Sequence, residues 1–445
     1  MNKKDQIEWK AGRQSAAGLL DFIQNCPSCF HVVDNTAKLL QKNGFIPLQE
    51  SCRWELKPGG KYFVTRNSSS VIAFQIPENE WSSFHIIGSH TDSPTFKVKE
   101  IPELAGGECI RLNVEKYGGA LLAPWFDRPL SVAGRLLVKS EEGIHQVLVK
   151  VDRDLLIIPS LAIHMNREAN NGTGYHVQKD LCPVFADSDG KNSFLDLIAE
   201  TAGVAREDIL GSDLFLYNRA PGTFIGLQEE FIASPRLDDL QCLYGSLQGF
   251  LQAELSESIA LFCAFDNEET GSMSRQGADS TFLEDTLKRI TSGLGKSEED
   301  YLIALASSFM LSADNAHAMH PNYPEKSDAC NYPKMNGGIV LKFNANQKYT
   351  TDARSAAVLR LLCDRAGVPC QTFANHSDIA GGSTLGNIAN THVALYTADI
   401  GLAQLAMHSC YETAGTLDTW YLEQLSKAFY GTVLKRDAAE TLVLL

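Results

Sequence analysis

The chain has 445 residues, of which 44% are hydrophobic and 21% are charged, and these values exclude a disordered or fibrous protein. Its 39 basic and 54 acidic residues give a formal net charge of −15, which argues against nucleic acid as a partner. No uninterrupted apolar run approaches the roughly 18 residues of a membrane span. Composition therefore predicts a folded globular protein that binds neither nucleic acid nor membrane.

The N-terminal part alternates helical and strand patterns. Apolar residues recur with helical spacing over 14–25 and 33–42. Short β-rich segments follow at 61–65, 71–76 and 83–87, separated by clusters of glycine, proline, asparagine and serine. This part of the chain reads as mixed α/β structure.

From about residue 97 the pattern changes to one typical of half-buried antiparallel strands. Apolar and polar residues alternate, and helical signals are few. We expect a long loop over 162–186, rich in asparagine and glycine. The remaining predicted elements are strands at 111–114, 130–139, 145–151 and 213–217 and a helix at 194–202.

Beyond Pro235 helices and buried strands alternate again, which favours a mostly parallel sheet with helices on both faces. We therefore predict an α/β catalytic domain made of residues 1–95 and 235–445, interrupted by a β-rich insertion at 96–234. The predicted helices are 240–255, 282–291, 298–307, 353–366 and 421–434, and the predicted strands are 259–265, 309–312, 339–343 and 393–396.

The eleven cysteines are odd in number and irregularly spaced, which favours reduced thiols. The first residues include two lysines but no apolar segment behind them, so we expect no secretory signal and a cytoplasmic location. Cys26 and Cys29 have the spacing of a redox motif. Because no strand precedes them, we interpret them as two incidental thiols.

Polar clusters follow three of the predicted strands. His90 and Asp92 end the first, Glu268 and Glu269 follow the second, and Asp314 follows the third. In open α/β sheets ligands bind at the carboxyl ends of strands, so these side chains are expected to converge. Two further clusters have suitable residue types, one containing Asp238 and Asp239 and the other His408.

Carboxylates and imidazoles gathered in this way suit zinc or a similar divalent ion. Two such ions can share one bridging carboxylate. A cluster with this many acids and no cation would repel itself. Adjacent Glu268 and Glu269 point in different directions, so one can bind metal while the other acts as general base. Asp92 can orient a metal-bound His90. Each motif alone is also compatible with a solvated surface pair or a hydrogen-bonded core histidine.

The motifs resemble those of the aspartyl aminopeptidase family of metallopeptidases. The series runs in order along nearly the whole chain, which makes coincidence a poor explanation. It includes GSHTDSP (88–94), YGG (117–119), PRLD (235–238), DNEETGS (266–272), SADNAHAMHPNY (312–323) and QLAMHS (404–409).

The resemblance implies a role for each matching residue. Glu268 would be the general base, and Asp238 would bridge two metal ions. Asp92 is predicted as a catalytic residue because its spacing from His90 lets it orient that imidazole. His164, on the insertion, would reach the active site of a neighbouring subunit. The implied metal ligands are His90, Asp238, Glu269, Asp314 and His408, and the implied substrate contacts are His164, His317, Lys342 and Tyr349.

The same resemblance implies two divalent metal ions per subunit, Zn²⁺ first, with Co²⁺ and Mn²⁺ left open. Substrates would be peptides with a free N-terminus. Lys342 would favour an acidic first residue, while leucine and methionine remain open. The insertion would be a dimerisation domain, with dimers assembled into a dodecamer. The segment GGSTLG (381–386) resembles the glycine-rich substrate loop of the family. Three features depart from the family pattern: His376 adds an imidazole beside that loop, Asp239 stands where asparagine is common, and Cys26 and Cys29 stand where the family has residues other than cysteine.

Two alternatives remain at this stage. The chain could be a self-assembling scaffold with only residual peptidase activity. It could also be a metal-dependent amidohydrolase or deacetylase that acts on small acyl amines. Blocking the amino group of a substrate separates the last class from an aminopeptidase, because only the aminopeptidase needs that amine free.

Overall fold

The structure, a computed structural model, describes residues 3–172, 174–436 and 442–445. The helices in these ranges are α1 (Lys3–Asn25), α2 (Cys29–Lys42), α3 (Val177–Asp180), α4 (Phe194–Ala202), α5 (Leu237–Gln252), α6 (Phe282–Gly293), α7 (Glu298–Ala306), α8 (Ala353–Ala366), α9 (Leu385–Ala389) and α10 (Asp418–Gly431). The strands are β1 (Ile46–Leu48), β2 (Lys61–Arg66), β3 (Ser70–Gln75), β4 (Ser83–His90), β5 (Thr95–Gly106), β6 (Cys109–Tyr117), β7 (Leu130–Ser140), β8 (Gly143–Lys150), β9 (Val184–Asp187), β10 (Ile209–Asn218), β11 (Thr223–Ile225), β12 (Phe231–Ser234), β13 (Ser258–Phe265), β14 (Phe309–Ala313), β15 (Ala316–His317), β16 (Ile339–Phe343), β17 (Cys370–Ala374), β18 (Tyr396–Gly401), β19 (Ala403–Leu405), β20 (Glu412–Gly415), β21 (Leu434–Arg436) and β22 (Leu442–Leu444).

A nine-stranded sheet forms the centre of the fold, in the order β1-β2-β3-β13-β4-β14-β18-β16-β17. Its four middle strands, β13, β4, β14 and β18, are parallel to one another. Residues along β13 alternate between the two faces, as expected for a strand buried on both sides. Ala260 and Phe262 join a core with residues of α5, α8 and α10, whereas Ile259 and Leu261 join a core with residues of α6 and α7.

A second sheet lies between β4 and α5 in the chain. Its six strands are antiparallel, in the order β8-β7-β10-β5-β6-β9. Phe96, Leu136 and Leu214 are buried in its core, together with Ile198 of α4. A third sheet, β11-β12-β20-β19-β15, pairs β12 with β20 from the C-terminal half. Strands β11 and β12 fall inside the predicted insertion, whose boundaries stay a prediction.

The predicted fold class is confirmed, because a mixed α/β sheet with helices on both faces accompanies a β-rich part. Two local predictions are wrong. Residues 162–186 were expected to be loop throughout but contain α3 and the start of β9, and the strand expected at 393–396 begins only at Tyr396. No strand had been predicted from the sequence at the position of β5. Within the described ranges, none of the helices has both the length and the apolar content of a membrane span.

The middle of the large sheet brings three polar turns together. Strands β13, β4 and β14 are adjacent and parallel, so their carboxyl ends lie at the same edge. Phe265 pairs with His90 in the register, one residue before the polar turn that contains Glu268 and Glu269. Asp314 follows the end of β14. The edge predicted from the sequence therefore carries the candidate site.

Candidate metal centre

Five segments that are distant in the sequence converge at this edge. One residue ends a strand, one lies in the first turn of a helix, and the others occupy turns that follow strands. These residues are His90 at the end of β4, Asp238 at the start of α5, Glu268 and Glu269 after β13, Asp314 after β14, and His408 between β19 and β20.

Asp238 lies at the middle of the cluster and is almost fully buried. Its Oδ1 is 3.4 Å from Nε2 of His90, and its Oδ2 is 3.6 Å from Nε2 of His408. Nε2 of His408 is also 3.3 Å from Oε2 of Glu269. Each carboxylate oxygen of Asp238 thus faces one imidazole nitrogen.

These separations fit donors that share a metal ion. Two ligands of a tetrahedral zinc with bonds of about 2.0–2.1 Å lie about 3.4 Å apart. The donor atoms form overlapping groups, of which one includes His90, Asp238 and Asp314 and another includes Asp238, Glu269 and His408. Asp238 belongs to both groups, as a bridging ligand would. Buried oxygens of Asp238 and Glu269 have no hydrogen-bond partner in the protein, and such orphaned acceptors are suited to a cation.

The charges of the cluster are consistent with a cation site. Burial alone would lower the pKa of His90, but the carboxylates of Asp239 and Asp238 outweigh it and raise that pKa well above its ordinary range. Burial, with Asp238 next, raises the pKa of Glu269 well above its usual value. The pKa of Glu268 rises to about 8, mainly through burial and then through neighbouring carboxylates such as Asp314. Without added positive charge, the cluster retains protons.

Asp92 connects the residues around the cluster. Its Oδ1 is 3.3 Å from Nδ1 of His90 and accepts the backbone N–H of Glu268 at 3.1 Å. Its Oδ2 accepts the backbone N–H of Glu269 at 3.2 Å and the hydroxyl of Tyr117 at 2.6 Å. Asp92 therefore contacts one imidazole through its backbone carbonyl oxygen, 3.1 Å from Nδ1 of His90, and through Oδ1, and its carboxylate holds the turn that carries both glutamates.

Two carboxylates beside the cluster had no role assigned to them from the sequence. Glu412 is buried, and its two oxygens accept the backbone N–H groups of His408 at 2.8 Å and Asp238 at 3.1 Å. Asp239 accepts the backbone N–H of His90 at 3.1 Å and belongs to the same donor group as Asp314. The sequence indicated Asp239 as a member of a suitable cluster and as a departure from the family pattern, but it gave Asp239 no role. No motif signalled Glu412, because one of its two partners, Asp238, is 174 residues away in the sequence.

A cavity of about 300 Å³ lies beside the cluster. The glycine-rich segment forms one wall through Gly381 and Gly382, and Ala406, two residues before His408, lies in another wall. No Asp or Glu occurs among the described residues that line this cavity. One lysine, Lys326, and three histidines, His317, His320 and His376, line it.

The predicted substrate contacts occupy different places. His317 lies in the wall of this cavity. Lys342 is buried, donates from Nζ to the carbonyl oxygen of Asn315 at 2.8 Å and lies 3.7 Å from Oδ2 of Asp314. Its Nζ is 5.5 Å from the ring centroid of Tyr349. His164 is exposed. Among the described residues, it lines neither this cavity nor the second cavity, which contains Cys26 and Cys29.

A second cavity, of about 290 Å³, reaches the cluster itself, because Asp238 lines it. Asp92 and Glu412 line it, and so do Cys26 and Cys29. All eleven cysteines are free thiols. The two cysteines of the redox-like spacing therefore lie near the site and are not bonded to each other.

A model of the family described as aminopeptidase I zinc metalloprotease (M18) matches residues 22–430. The chain belongs to this family. As an M18 family member it is a metalloaminopeptidase, a hydrolase of peptide bonds, and the family assignment predicted from the sequence is confirmed. The donor set of the cluster fits the zinc that the family description names.

Relatives and solved structures agree with this assignment. A probable M18 family aminopeptidase 2 of Clostridium acetobutylicum is 46% identical over 424 residues, covering 93% of this chain and 98% of that protein. A chain in the cryo-EM structure of the Ape4 and Nbr1 complex is 36% identical with a TM-score of 0.92, covering 95% of this chain and 86% of that one. The S. cerevisiae mApe1 dodecamer is similar at 30% identity and a TM-score of 0.83, covering 94% and 96% of the two chains.

Proposed function

We propose that this aminopeptidase removes N-terminal residues, preferentially acidic ones, with two Zn²⁺ ions held by the clustered side chains. The observation that carries the proposal is the position of Asp238, whose two oxygens face His90 and His408 and which belongs to two donor groups. One ion would bind His90, Asp238 and Asp314. The other would bind Asp238, Glu269 and His408.

Glu268 is the proposed general base. Bound ions would supply a water of lowered pKa and a Lewis acid for the scissile carbonyl. The Glu268 carboxylate, which lies within 4.8 Å of donor atoms of His90 and Glu269, would take a proton from the attacking water and return it to the leaving amine. Asp92 would fix the base through the backbone N–H of Glu268. Acidic groups of the cluster would compensate the charged amino terminus of the substrate.

The basic cavity supports a preference for an acidic first side chain. Lys326 is on its wall, where a substrate carboxylate would gain an opposite charge, and the His376 ring offers a hydrogen-bonding group there. His317 is proposed as a substrate contact in the same cavity, and Lys342 and Tyr349 as contacts behind it. The ammonium of Lys342 is close to Asp314, so it would also balance the charge of that ligand.

Assembly with further copies is part of the proposal. The segment that carries His164 exposes Leu161, Ile163 and Met165 to solvent, and Met165 is 76% exposed. A group of large exposed apolar side chains within one short segment is typical of an interface. A second copy docked there would let His164 reach a neighbouring active site. The yeast relative assembles as a dodecamer, which supports dimers grouped into the same assembly here.

The experiment is a substrate panel on the metal-free and the zinc-reconstituted full-length protein. Chelation should abolish release of aspartate, glutamate, leucine and methionine from aminoacyl amides, and zinc should restore it, fastest for the acidic pair. N-acetylated substrates should not react. Glu268→Gln should bind zinc normally yet lose about 10²–10⁴-fold in kcat, whereas Glu284→Gln, a surface control on α6, should match the wild type. Near-normal turnover by Glu268→Gln would refute the proposed base.

A further inference from the structure

The YGG motif at residues 117–119 leaves the second sheet and enters the metal cluster. We propose that this segment orients both metal-binding histidines, so that Tyr117 is a positioning residue for zinc binding. The inference rests on the proposed function for the role of the two histidines. It adds that the metal affinity of the large sheet depends on how the second sheet is docked against it.

Tyr117 acts on the first histidine through Asp92. Its hydroxyl donates to Oδ2 of Asp92 at 2.6 Å and accepts from Nδ2 of Asn267 at 2.9 Å. Oδ1 of Asn267 accepts from Nε2 of Gln276 at 2.9 Å, which fixes the orientation of the Asn267 amide. Because Asn267 can only donate to the hydroxyl, Tyr117 must give its own hydrogen to Asp92. Nδ1 of His90 lies 3.1 Å from the backbone carbonyl oxygen of Asp92 and 3.3 Å from its Oδ1, so the Tyr117 hydroxyl acts on His90 by holding Asp92 in place.

Gly119 acts on the second histidine directly. Its carbonyl oxygen is 3.2 Å from Nδ1 of His408, whose Nε2 faces Asp238 and Glu269. A hydrogen on Nδ1 that is donated to this carbonyl leaves Nε2 free to bind metal. A metal-binding histidine commonly needs such an outer partner to fix its tautomer and ring orientation.

The glycines explain why this segment can approach so closely. Gly118 has φ +73°, and a Cβ there would lie 3.0 Å from Cβ of Glu269. A Cβ at Gly119 would lie 3.1 Å from Nδ1 of His408. The motif therefore brings a bare backbone against two predicted ligands, a placement that a side chain would obstruct.

The segment is anchored in the second sheet. Tyr117 pairs with Thr95 at the end of β6, and its ring packs edge-on against Phe215 of β10 at a centroid distance of 5.6 Å. Any shift of that sheet relative to the large sheet would move the Tyr117 hydroxyl and the Gly119 carbonyl together. His408 would lose its outer partner, and Asp92, the outer partner of His90, would lose the hydroxyl that holds it.

The test is zinc affinity, measured by competition with a chromophoric chelator on the full-length protein. Tyr117→Phe keeps the ring and removes the hydroxyl, and we expect zinc binding about 10–100-fold weaker. The matched control is Tyr217→Phe, which removes a buried hydroxyl that donates to the carbonyl oxygen of Val151 at 2.9 Å in the same sheet. Both metal-free variants should show similar thermal stability. Equal zinc affinity in the two variants would overturn the inference.

A second pair of variants tests the other histidine, and it keeps the inference testable if Tyr117→Phe fails to fold. Gly119→Ala would place a methyl group against His408, whereas Gly106→Ala places one in open space at the end of β5. We expect weaker zinc binding only in Gly119→Ala, and equal affinities would contradict the proposed role of the segment. A wild-type protein that does not bind zinc would refute the proposed function instead.

Discussion

Replacing Glu412 with glutamine should weaken zinc binding although Glu412 is not a proposed ligand. Its two oxygens accept the backbone N–H groups of His408 and Asp238 at 2.8 and 3.1 Å. Glutamine has nearly the same shape, but its amide nitrogen would face one N–H group with another donor. The loss of a hydrogen bond to a charged group costs about 1.5–3 kcal/mol. The same free energy corresponds to about a 10- to 150-fold change in affinity.

The assay is chelator competition at neutral pH, paired with thermal unfolding of the metal-free protein. Glu423→Gln is the matched control, because Glu423 is also buried and hydrogen-bonded but contacts Ser15. Both variants should change the unfolding temperature, and only Glu412→Gln should change the zinc affinity. Unchanged affinity in Glu412→Gln would show that the backbone of the two ligands does not need this carboxylate.

Three further outcomes are expected. Lys326→Ala should lower the ratio of kcat/KM for acidic over neutral substrates about two- to fivefold, because an exposed charge pair contributes under about 1 kcal/mol. An unchanged ratio would show that Lys326 does not contribute to substrate specificity. Burial raises the pKa of Glu423 to about 7, so the metal-free protein should lose stability as pH rises from about 4.5 to 7. Urea unfolding should give a flatter dependence in Glu423→Gln, by up to about 1.4 kcal/mol per pH unit, and an identical dependence would contradict this account. Gly118→Ala should unfold at a lower temperature than Gly107→Ala, because both glycines have positive φ but only Gly118 has a close neighbour. Equal unfolding temperatures would contradict the claim that the segment needs glycine to approach the cluster closely.

The sequence predicted the edge of the sheet at which the site forms, because the carboxyl ends of adjacent parallel strands must meet there. It did not predict Glu412, whose partners Asp238 and His408 become neighbours only after folding. The hydrophobic pattern also predicted β18 a few residues too early, at 393–396. Apolar Val393 belongs to a turn that packs in a helix-covered core, whereas the strand itself contains buried Thr397 and Asp399.

Those two polar residues are satisfied by tertiary hydrogen bonds that a local pattern cannot reveal. Asp399 accepts from the hydroxyls of Thr350 and Thr384, and Thr397 donates to Asn390. Hydrophobic periodicity therefore identified the strands whose interior is apolar. It failed where burial of a polar side chain is compensated by a partner from another element.

The chain order of the cluster has a consequence for biosynthesis. The first proposed ligand is residue 90 and the last is residue 408, so a ribosome must extrude most of the polypeptide before the set is complete. Strand β13 also pairs with β4 across a long intervening segment. A nascent chain that stops short of β19 can form much of the large sheet, yet of the two proposed histidine ligands it contains only His90. Hydrolytic competence should consequently emerge late in translation, after the surrounding scaffold has already collapsed.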